Sequence, residues 1–317
     1  MNDAKRPKLD TSATLASIGA LVCWSSGPIF IKLLTGWLDF WTQNTLRYLV
    51  ASLFWLPFLL VSVRNGRISR GLWLRALLPA AANIVMQCFW GAAFYYLKPA
   101  FMILLTQSSI IWIAGFSVAF FPQERPLARS KRFWLGAALS ITGVAGVLLF
   151  KENFTATRTA TGIVIALSAA LLWGVYTICA KAAFKNIDSR TGFSVVSLYT
   201  FAGLSVLAMA FGRPGDCTRM AVQAWGYVVV SGILSIALSH VLYYFAIKRI
   251  GATIPSLVLL LQPVIVLAIS SVVFDESLNA FQWVFGAVLL VGSASAILAQ
   301  QHLNSADSSE NALGRAT

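Results

Sequence analysis

Long apolar stretches alternate with short polar segments along almost the whole chain. Ten of these stretches are about 20 residues long, which is the length that an α-helix needs to cross the hydrocarbon core of a bilayer. The sequence therefore predicts an all-α integral membrane protein with ten transmembrane helices. The predicted spans cover residues 13–34, 40–63, 74–97, 99–121, 133–150, 161–183, 191–211, 224–247, 253–274 and 281–299.

Both ends of the chain are polar. Residues 1–12 carry Lys5, Arg6 and Lys8, and they predict a cytoplasmic N-terminal tail. The apolar stretch that follows is longer than the core of a signal peptide, so it is interpreted as an uncleaved first span. Residues 300–317 are rich in Ser, Asp and Asn, and they predict a disordered C-terminal tail.

The composition supports a membrane protein. Hydrophobic residues make up 58% of the 317 positions, and charged residues only 11%. A soluble domain carries about 25% charged residues, because its folded surface needs polar cover. A lipid bilayer removes that requirement, and lipid is the expected environment.

The net charge of +13 raises the question of a nucleic-acid partner. Most Lys and Arg residues lie between the apolar stretches, where positive charge controls membrane topology. If both termini are cytoplasmic, 17 of the 24 Lys and Arg residues fall in cytoplasmic segments and 6 on the other side, while Arg47 lies within the second span. We therefore expect a multi-pass protein of the cytoplasmic (inner) membrane with both termini inside and no nucleic-acid partner.

The chain also repeats itself. Trp24 and Lys32 recur as Trp173 and Lys181, each 149 residues later. Other matching pairs are FYYLK at 94–98 and YFAIK at 244–248, Gln107 and Gln262, the turns at Glu124 and Glu276, Trp134 and Trp283, and Gly143 and Gly292. Residues 13–150 and 161–299 are therefore two five-helix repeats. Because five is odd, the second repeat is inverted, as in many secondary transporters.

These motifs resemble the EamA-type ten-helix exporters of the drug/metabolite transporter superfamily. The resemblance rests on CWSSGPIFIK at 23–32, LWGVYTICAK at 172–181, Arg47, and the Glu-containing turns before spans five and ten. It implies a basket-like fold in which spans one to four and six to nine line a central cavity. One departure is Ser108 after Gln107, whereas Pro263 follows Gln262, as the family more often shows in both halves.

The resemblance places spans five and ten at the periphery. Their small residues suit close helix contact, either within the monomer, which we favour, or in a dimer. We expect a monomer or a weak homodimer. The small residues are Gly136, Gly143, Gly146, Gly286, Gly292, Ser293 and Ala294.

Polar side chains within the spans mark the candidate substrate site, because they are costly in lipid. Arg47 either binds a substrate anion or clamps helix carbonyls, since its five donors suit both tasks. Asn83, Gln87 and Trp90 share one face of span three, which we expect to face the cavity or a neighbouring helix, and we favour the cavity. The remaining candidates are Trp24, Trp173 and Tyr176 for aromatic contacts, Gln107 and Gln262 for substrate or helix–helix hydrogen bonds, and His240 for hydrogen bonding or proton transfer.

The sequence contains little that indicates an enzyme or a metal site. The four cysteines form no CxxC or Cys/His cluster, and neither HExxH nor GxSxG occurs. We expect no enzymatic activity, no metal and no cofactor. A channel is disfavoured as well, because an inverted duplication within one chain favours alternating access.

The expected function is export of a small zwitterionic or anionic metabolite, such as an amino acid or a derivative. Within the spans the sequence places a cation and several amides but no carboxylate. A metallophore, a nucleobase, a dipeptide or a toxic drug remains an alternative cargo.

Reporter fusions test the topology. A fusion after Gly66 is expected in the cytoplasm, and one after Asn153 on the opposite side, because the Lys and Arg bias orients the spans. The activity of a compartment-specific reporter gives the location of each loop. A Gly66 fusion on the outer side would contradict the five-plus-five arrangement.

Overall fold

The computed structural model describes residues 10–150, 157–184, 187–250 and 253–313. Within these ranges the fold is helical and contains no β-strand. The helices are α1 (Thr11–Leu34), α2 (Phe40–Arg64), α3 (Arg70–Tyr96), α4 (Pro99–Thr106), α5 (Ser109–Phe120), α6 (Lys131–Leu149), α7 (Thr157–Ala183), α8 (Ser189–Phe211), α9 (Val222–Ser231), α10 (Ser239–Ile250), α11 (Thr253–Leu259), α12 (Gln262–Phe274) and α13 (Ala280–Leu313).

Three of the ten spans are assembled from more than one helix. The fourth is α4 and α5, the ninth is α11 and α12, and the eighth joins α9 to α10 through a π-helical segment, Gly232–Leu238. Ten segments of the described residues are long and apolar enough to cross a membrane. The predicted fold class is confirmed, with span boundaries within four residues of those expected.

The starts of the long helices are fixed by polar side chains. Asp10, Asp39, Ser69 and Ser130 each accept a hydrogen bond from a free backbone N–H in the first turn of the helix that follows. Such N-caps satisfy donors that have no partner within the helix.

The fourth and ninth spans break at corresponding places. In the ninth span, Pro263 has no N–H to donate to the carbonyl of Leu259, and α11 ends at that residue. In the fourth span, Thr106 and Ser108 lie at the break, and their hydroxyls donate to the carbonyls of Ile103 (2.8 Å) and Leu105 (2.7 Å). The sequence left the shape of this helix open, and we interpret these hydroxyl bonds as the counterpart of the proline.

The two ends of the bundle differ in packing. We call the end that holds the last turn of α1 the Lys32 end, and the opposite end the Asp10 end. Every residue of α4, which begins at the Lys32 end, is buried, whereas in α5 only Ser109, Ala114 and Ser117 are buried. The largest apolar cluster joins α4 to α1, α12 and α13 at the Lys32 end. Span four therefore lies in packed core over its first half only.

Helices α6 and α13 pack directly on each other within the monomer. A Cβ atom added to Gly143 would lie 2.5 Å from the backbone N of Leu289, and one added to Gly292 would lie 2.5 Å from the backbone N of Ser140. Glycine at these two positions allows the two backbones to approach closely. The small residues of spans five and ten thus serve a contact inside the chain.

At the C-terminal end of the chain the structure differs from the prediction. Helix α13 continues to Leu313, where the residues after Gln300 were expected to be a disordered tail. Extending a formed helix adds one hydrogen bond per residue without a new nucleation cost, which accounts for the longer helix. At the other end α1 begins at Thr11, two residues before the predicted start, and residues 1–9 and Asn153 lie outside the described residues.

A glycine substitution tests the α6–α13 contact. Gly143→Ala is expected to lower the free energy of unfolding by about 1–3 kcal/mol, because the added methyl meets backbone that cannot move aside. Gly226→Ala in α9 is the matched control, since no atom lies within 4 Å of its Cβ position. Thermal unfolding in detergent measures both, and equal melting temperatures would contradict the contact.

Candidate functional site

A cavity of about 180 Å³ lies at the centre of the bundle. Spans one to four, six, eight and nine contribute to its wall, whereas span seven, which the resemblance also places around the cavity, contributes no lining residue. Eight of the ten candidate residues line it: Trp24, Arg47, Gln87, Trp90, Gln107, Trp173, His240 and Gln262. The structure therefore brings together residues from both repeats at one central site.

Arg47 is the charged group of this cavity. Its side chain is buried, and Nε donates to Ser231 Oγ at 3.0 Å while Nη2 donates to Ser235 Oγ at 2.9 Å. A longer bond of 3.4 Å runs from Nη1 to Asn44 Oδ1. In the described part of the chain, no carboxylate forms an ion pair with the guanidinium. Neutral oxygens hold Arg47 in place and leave its positive charge uncompensated.

Ser231 is the last residue of α9, and Ser235 lies in the π-helical segment of span eight that follows it. Gly27 and Gly232 let this segment approach α1 and α2, because added Cβ atoms would lie 2.8 Å from Ser235 Cβ and from the Arg47 carbonyl oxygen, respectively. Segments of π-helix are rare and occur frequently at functional sites. Ser231 and Ser235 are site residues that were not predicted from the sequence. Their signal was the repetition of serine at 231, 235 and 239, immediately before His240.

A second polar network lies beside the cavity, between α2, α3 and α8. Asn83 Nδ2 donates to Tyr48 Oη and to Thr200 Oγ1, both at 3.0 Å, and Gln87 Nε2 donates to the same Tyr48 oxygen at 2.8 Å. Gln87 also lines the cavity, but Asn83 does not. Asn83 is seven residues from Trp90, which is about 10 Å along a helix, so one face of α3 extends beyond the cavity. The structure thus places Asn83 in a helix–helix contact.

Aromatic side chains form another part of the wall. The ring centroid of Trp24 lies 5.1 Å from His240, 5.1 Å from Tyr243 and 6.4 Å from Trp173. Tyr176 was expected to pair with Trp173 in the cavity. Its ring centroid lies 5.6 Å from that of Trp173, but Tyr176 is buried in an apolar cluster and does not line the cavity. The aromatic surface of the site is therefore built around Trp24.

His240 is held by its own helix and by a neighbouring ring. Its Nδ1 lies 2.8 Å from the carbonyl oxygen of Ile236, which can only accept, so Nδ1 carries the proton in this contact. Phe193 stacks on the imidazole with ring centroids 4.6 Å apart. These contacts agree with the locally hydrogen-bonded histidine that the sequence reading favoured.

The two repeat-related glutamines lie at the breaks of their spans. Gln107 follows α4 and Gln262 begins α12, and both line the cavity. Pro28 has no N–H to offer the carbonyl of Trp24, and Gln262 Nε2 donates to that oxygen at 3.3 Å. Gln262 thus makes the helix–helix hydrogen bond that was one of its two expected roles.

Comparison with known proteins identifies relatives for both halves. The model of the EamA-like transporter family matches residues 11–149 and 160–298. A protein of Haemophilus influenzae named as an uncharacterized transporter is 25% identical over 197 residues, which are 61% of this chain and 63% of the relative. A second one, from Clostridium kluyveri, is 26% identical over 163 residues, or 49% and 50% of the two chains. The chain thus spans between half and two thirds of these relatives.

A solved crystal structure supports the fold. Its TM-score to this chain is 0.62 at 19% identity, and the alignment covers 90% of this chain and 97% of the other. At this identity the likeness bears on the ten-helix architecture alone.

Proposed function

Because the chain belongs to the EamA-like transporter family, we propose that it exports a small zwitterionic or anionic metabolite, such as an amino acid or a derivative. The resemblance drawn from the motifs is confirmed at the level of the family, and the chain is a transporter of that family. The cargo, the direction of transport and the absence of an enzymatic role belong to the proposal. So do the cytoplasmic membrane and the cytoplasmic termini.

The uncompensated charge of Arg47 carries the proposal. A guanidinium matches a carboxylate with two parallel hydrogen bonds, and such pairs are strong where water is excluded. A cationic solute would instead be repelled by roughly 3 kcal/mol, taking unit charges about 6 Å apart at an effective dielectric constant near 20. The cavity therefore favours a solute with a negative group beside Arg47.

The rest of the wall suits the remainder of such a solute. Gln87, Gln107 and Gln262 line the cavity and offer amide donors and acceptors. The face of Trp24 or Trp173 attracts an apolar group or an ammonium group. A carboxylate near Arg47 and an ammonium over a ring describe the two charges of an amino acid.

Alternating access follows from the repeat. Two inverted halves of similar structure can exchange roles, so that the cavity opens to one side and then to the other. The cavity lies between the halves, with residues of both in its wall. A carrier mechanism is therefore proposed rather than a continuous pore.

Metabolite analysis of cells tests the cargo. Overproduction is expected to raise extracellular zwitterionic or carboxylate-bearing compounds, and Arg47→Gln to reduce that rise at least roughly tenfold, because a charge-assisted hydrogen bond is lost. Arg64→Gln is the matched control, since Arg64 is exposed at the other end of the same helix. Membrane abundance of each variant is measured in parallel.

Two outcomes would contradict the proposed cargo. One is an export phenotype confined to quaternary ammonium cations. The other is equal export by wild-type protein and Arg47→Gln at equal abundance.

A pH gradient tests the driving force. All eleven Asp and Glu residues lie outside the ten spans, so we propose that export follows the cargo's own gradient without proton coupling. In proteoliposomes with a pH gradient and no cargo gradient, no accumulation is expected. Accumulation that His240→Ala abolishes, while exchange persists, would show that His240 carries protons. Accumulation that persists in His240→Ala would place proton coupling elsewhere and would equally reject the uncoupled mechanism.

A further inference from the structure

Two turns meet at the Lys32 end of the bundle, one between α3 and α4 and the other between α12 and α13. The buried carboxylate of Glu276, in the second turn, accepts hydrogen bonds from the backbone N–H groups of Ala100 and Phe101, each at 2.9 Å. Ser270 donates its hydroxyl to the same carboxylate. A side chain of the second repeat thus caps the first turn of a helix in the first repeat.

The same turns are also joined in the reverse direction. Lys98, the residue before α4, donates from Nζ to the carbonyl oxygens of Phe274 (3.1 Å) and Asp275 (2.8 Å), at the end of α12. An anion at a helix N-terminus and a cation at a helix C-terminus both complement the partial charges of the helix ends. Each repeat therefore supplies the charge that the other repeat's helix end attracts.

These bonds lie on the path between the cavity and the Lys32 end. Helix α4 runs from Lys98 to the cavity-lining Thr106, and α12 runs from the cavity-lining Gln262 out to Phe274. The apolar cluster that includes Ile103 of α4 and Val266 of α12 fills the space between. Separation of α4 from α12 would open the cavity toward this end and would break all four hydrogen bonds between the two turns.

We propose that Glu276 and Lys98 form a latch that holds the Lys32 end of the carrier closed, and that release of this latch is a step of the transport cycle. The two residues act on conformation and do not line the cavity. The latch is independent of the identity of the cargo and of the role of Arg47. In the sequence, the repeat places the same residue types, Lys248 and Glu124, at the corresponding positions of the other half.

Thiol labelling of a buried reporter in α4 tests the latch. The reporter Ile103→Cys is introduced after the four native cysteines have been replaced. Ile103 is chosen because it is fully buried in the apolar cluster between α4 and α12. Purified protein in nanodiscs is then treated with a charged maleimide. Glu276→Gln or Lys98→Met is expected to raise the labelling rate roughly tenfold, the effect of losing one charge-assisted hydrogen bond.

Two controls separate release of the latch from general loosening. Asp275→Asn removes the exposed charge next to Glu276 but keeps the backbone carbonyl that Lys98 contacts. Asparagine also tolerates the positive φ of 50° at this position. A second reporter, Ala51→Cys, lies fully buried in a separate cluster of α2. Asp275→Asn is expected to leave the labelling rate of Ile103→Cys unchanged, and Glu276→Gln or Lys98→Met is expected to leave the labelling rate of Ala51→Cys unchanged.

The outcomes decide the proposal. Faster labelling of Ile103→Cys with unchanged labelling of Ala51→Cys supports the latch. An unchanged rate at Ile103→Cys in folded Glu276→Gln and Lys98→Met protein, or an equal rise at both reporters, overturns it. If Glu276→Gln does not fold, Lys98→Met decides alone, because Lys98 lies in an exposed turn.

Discussion

A buried positive charge is the constraint around which the centre of this protein is arranged. A guanidinium in a helical bundle with apolar surroundings must have its donors satisfied, since unpaired polar groups are costly in such an environment. Each of the three guanidinium nitrogens of Arg47 donates one hydrogen bond, to Ser231, Asn44 or Ser235. Ser231 ends α9, and Ser235 lies in the π-helical segment of span eight that follows. Neutral partners satisfy the donors without cancelling the charge, so a single arrangement serves both structure and recognition.

The same rule for backbone groups explains how the helices are connected. Where Pro28 leaves the Trp24 carbonyl without a helical donor, Gln262 supplies one from the other repeat. At the end of α3, Lys32 donates to the carbonyls of Phe94 and Leu97. Glu276 caps the start of α4. Hydrogen bonds to free backbone groups thus connect neighbouring spans at these three places, and the bonds of Gln262 and Glu276 also join the two repeats.

Much of the architecture was predictable from the sequence because it depends on periodic signals. Span length, charge bias and repeat offsets predicted ten helices in two inverted halves, and the structure agrees. Contacts that depend on the third dimension were harder to infer. Asn83 and Tyr176 share helix faces with cavity residues but lie a turn or more away from the cavity. The hydrogen bonds of Glu276 join residues about 175 positions apart, and no local sequence pattern predicts them.

Ligand binding to the purified protein tests whether Arg47 selects solutes with a negative group. Thermal stabilisation can be measured for a panel of zwitterionic, anionic and quaternary cationic metabolites, because a ligand that binds the folded state raises its melting temperature. The stabilising compounds are expected to carry a carboxylate or another anion. Their effect is expected to be lost in Arg47→Gln and to be weakened but present in Arg47→Lys. Stabilisation by quaternary cations alone, or an unchanged effect in Arg47→Gln, would contradict this role of Arg47.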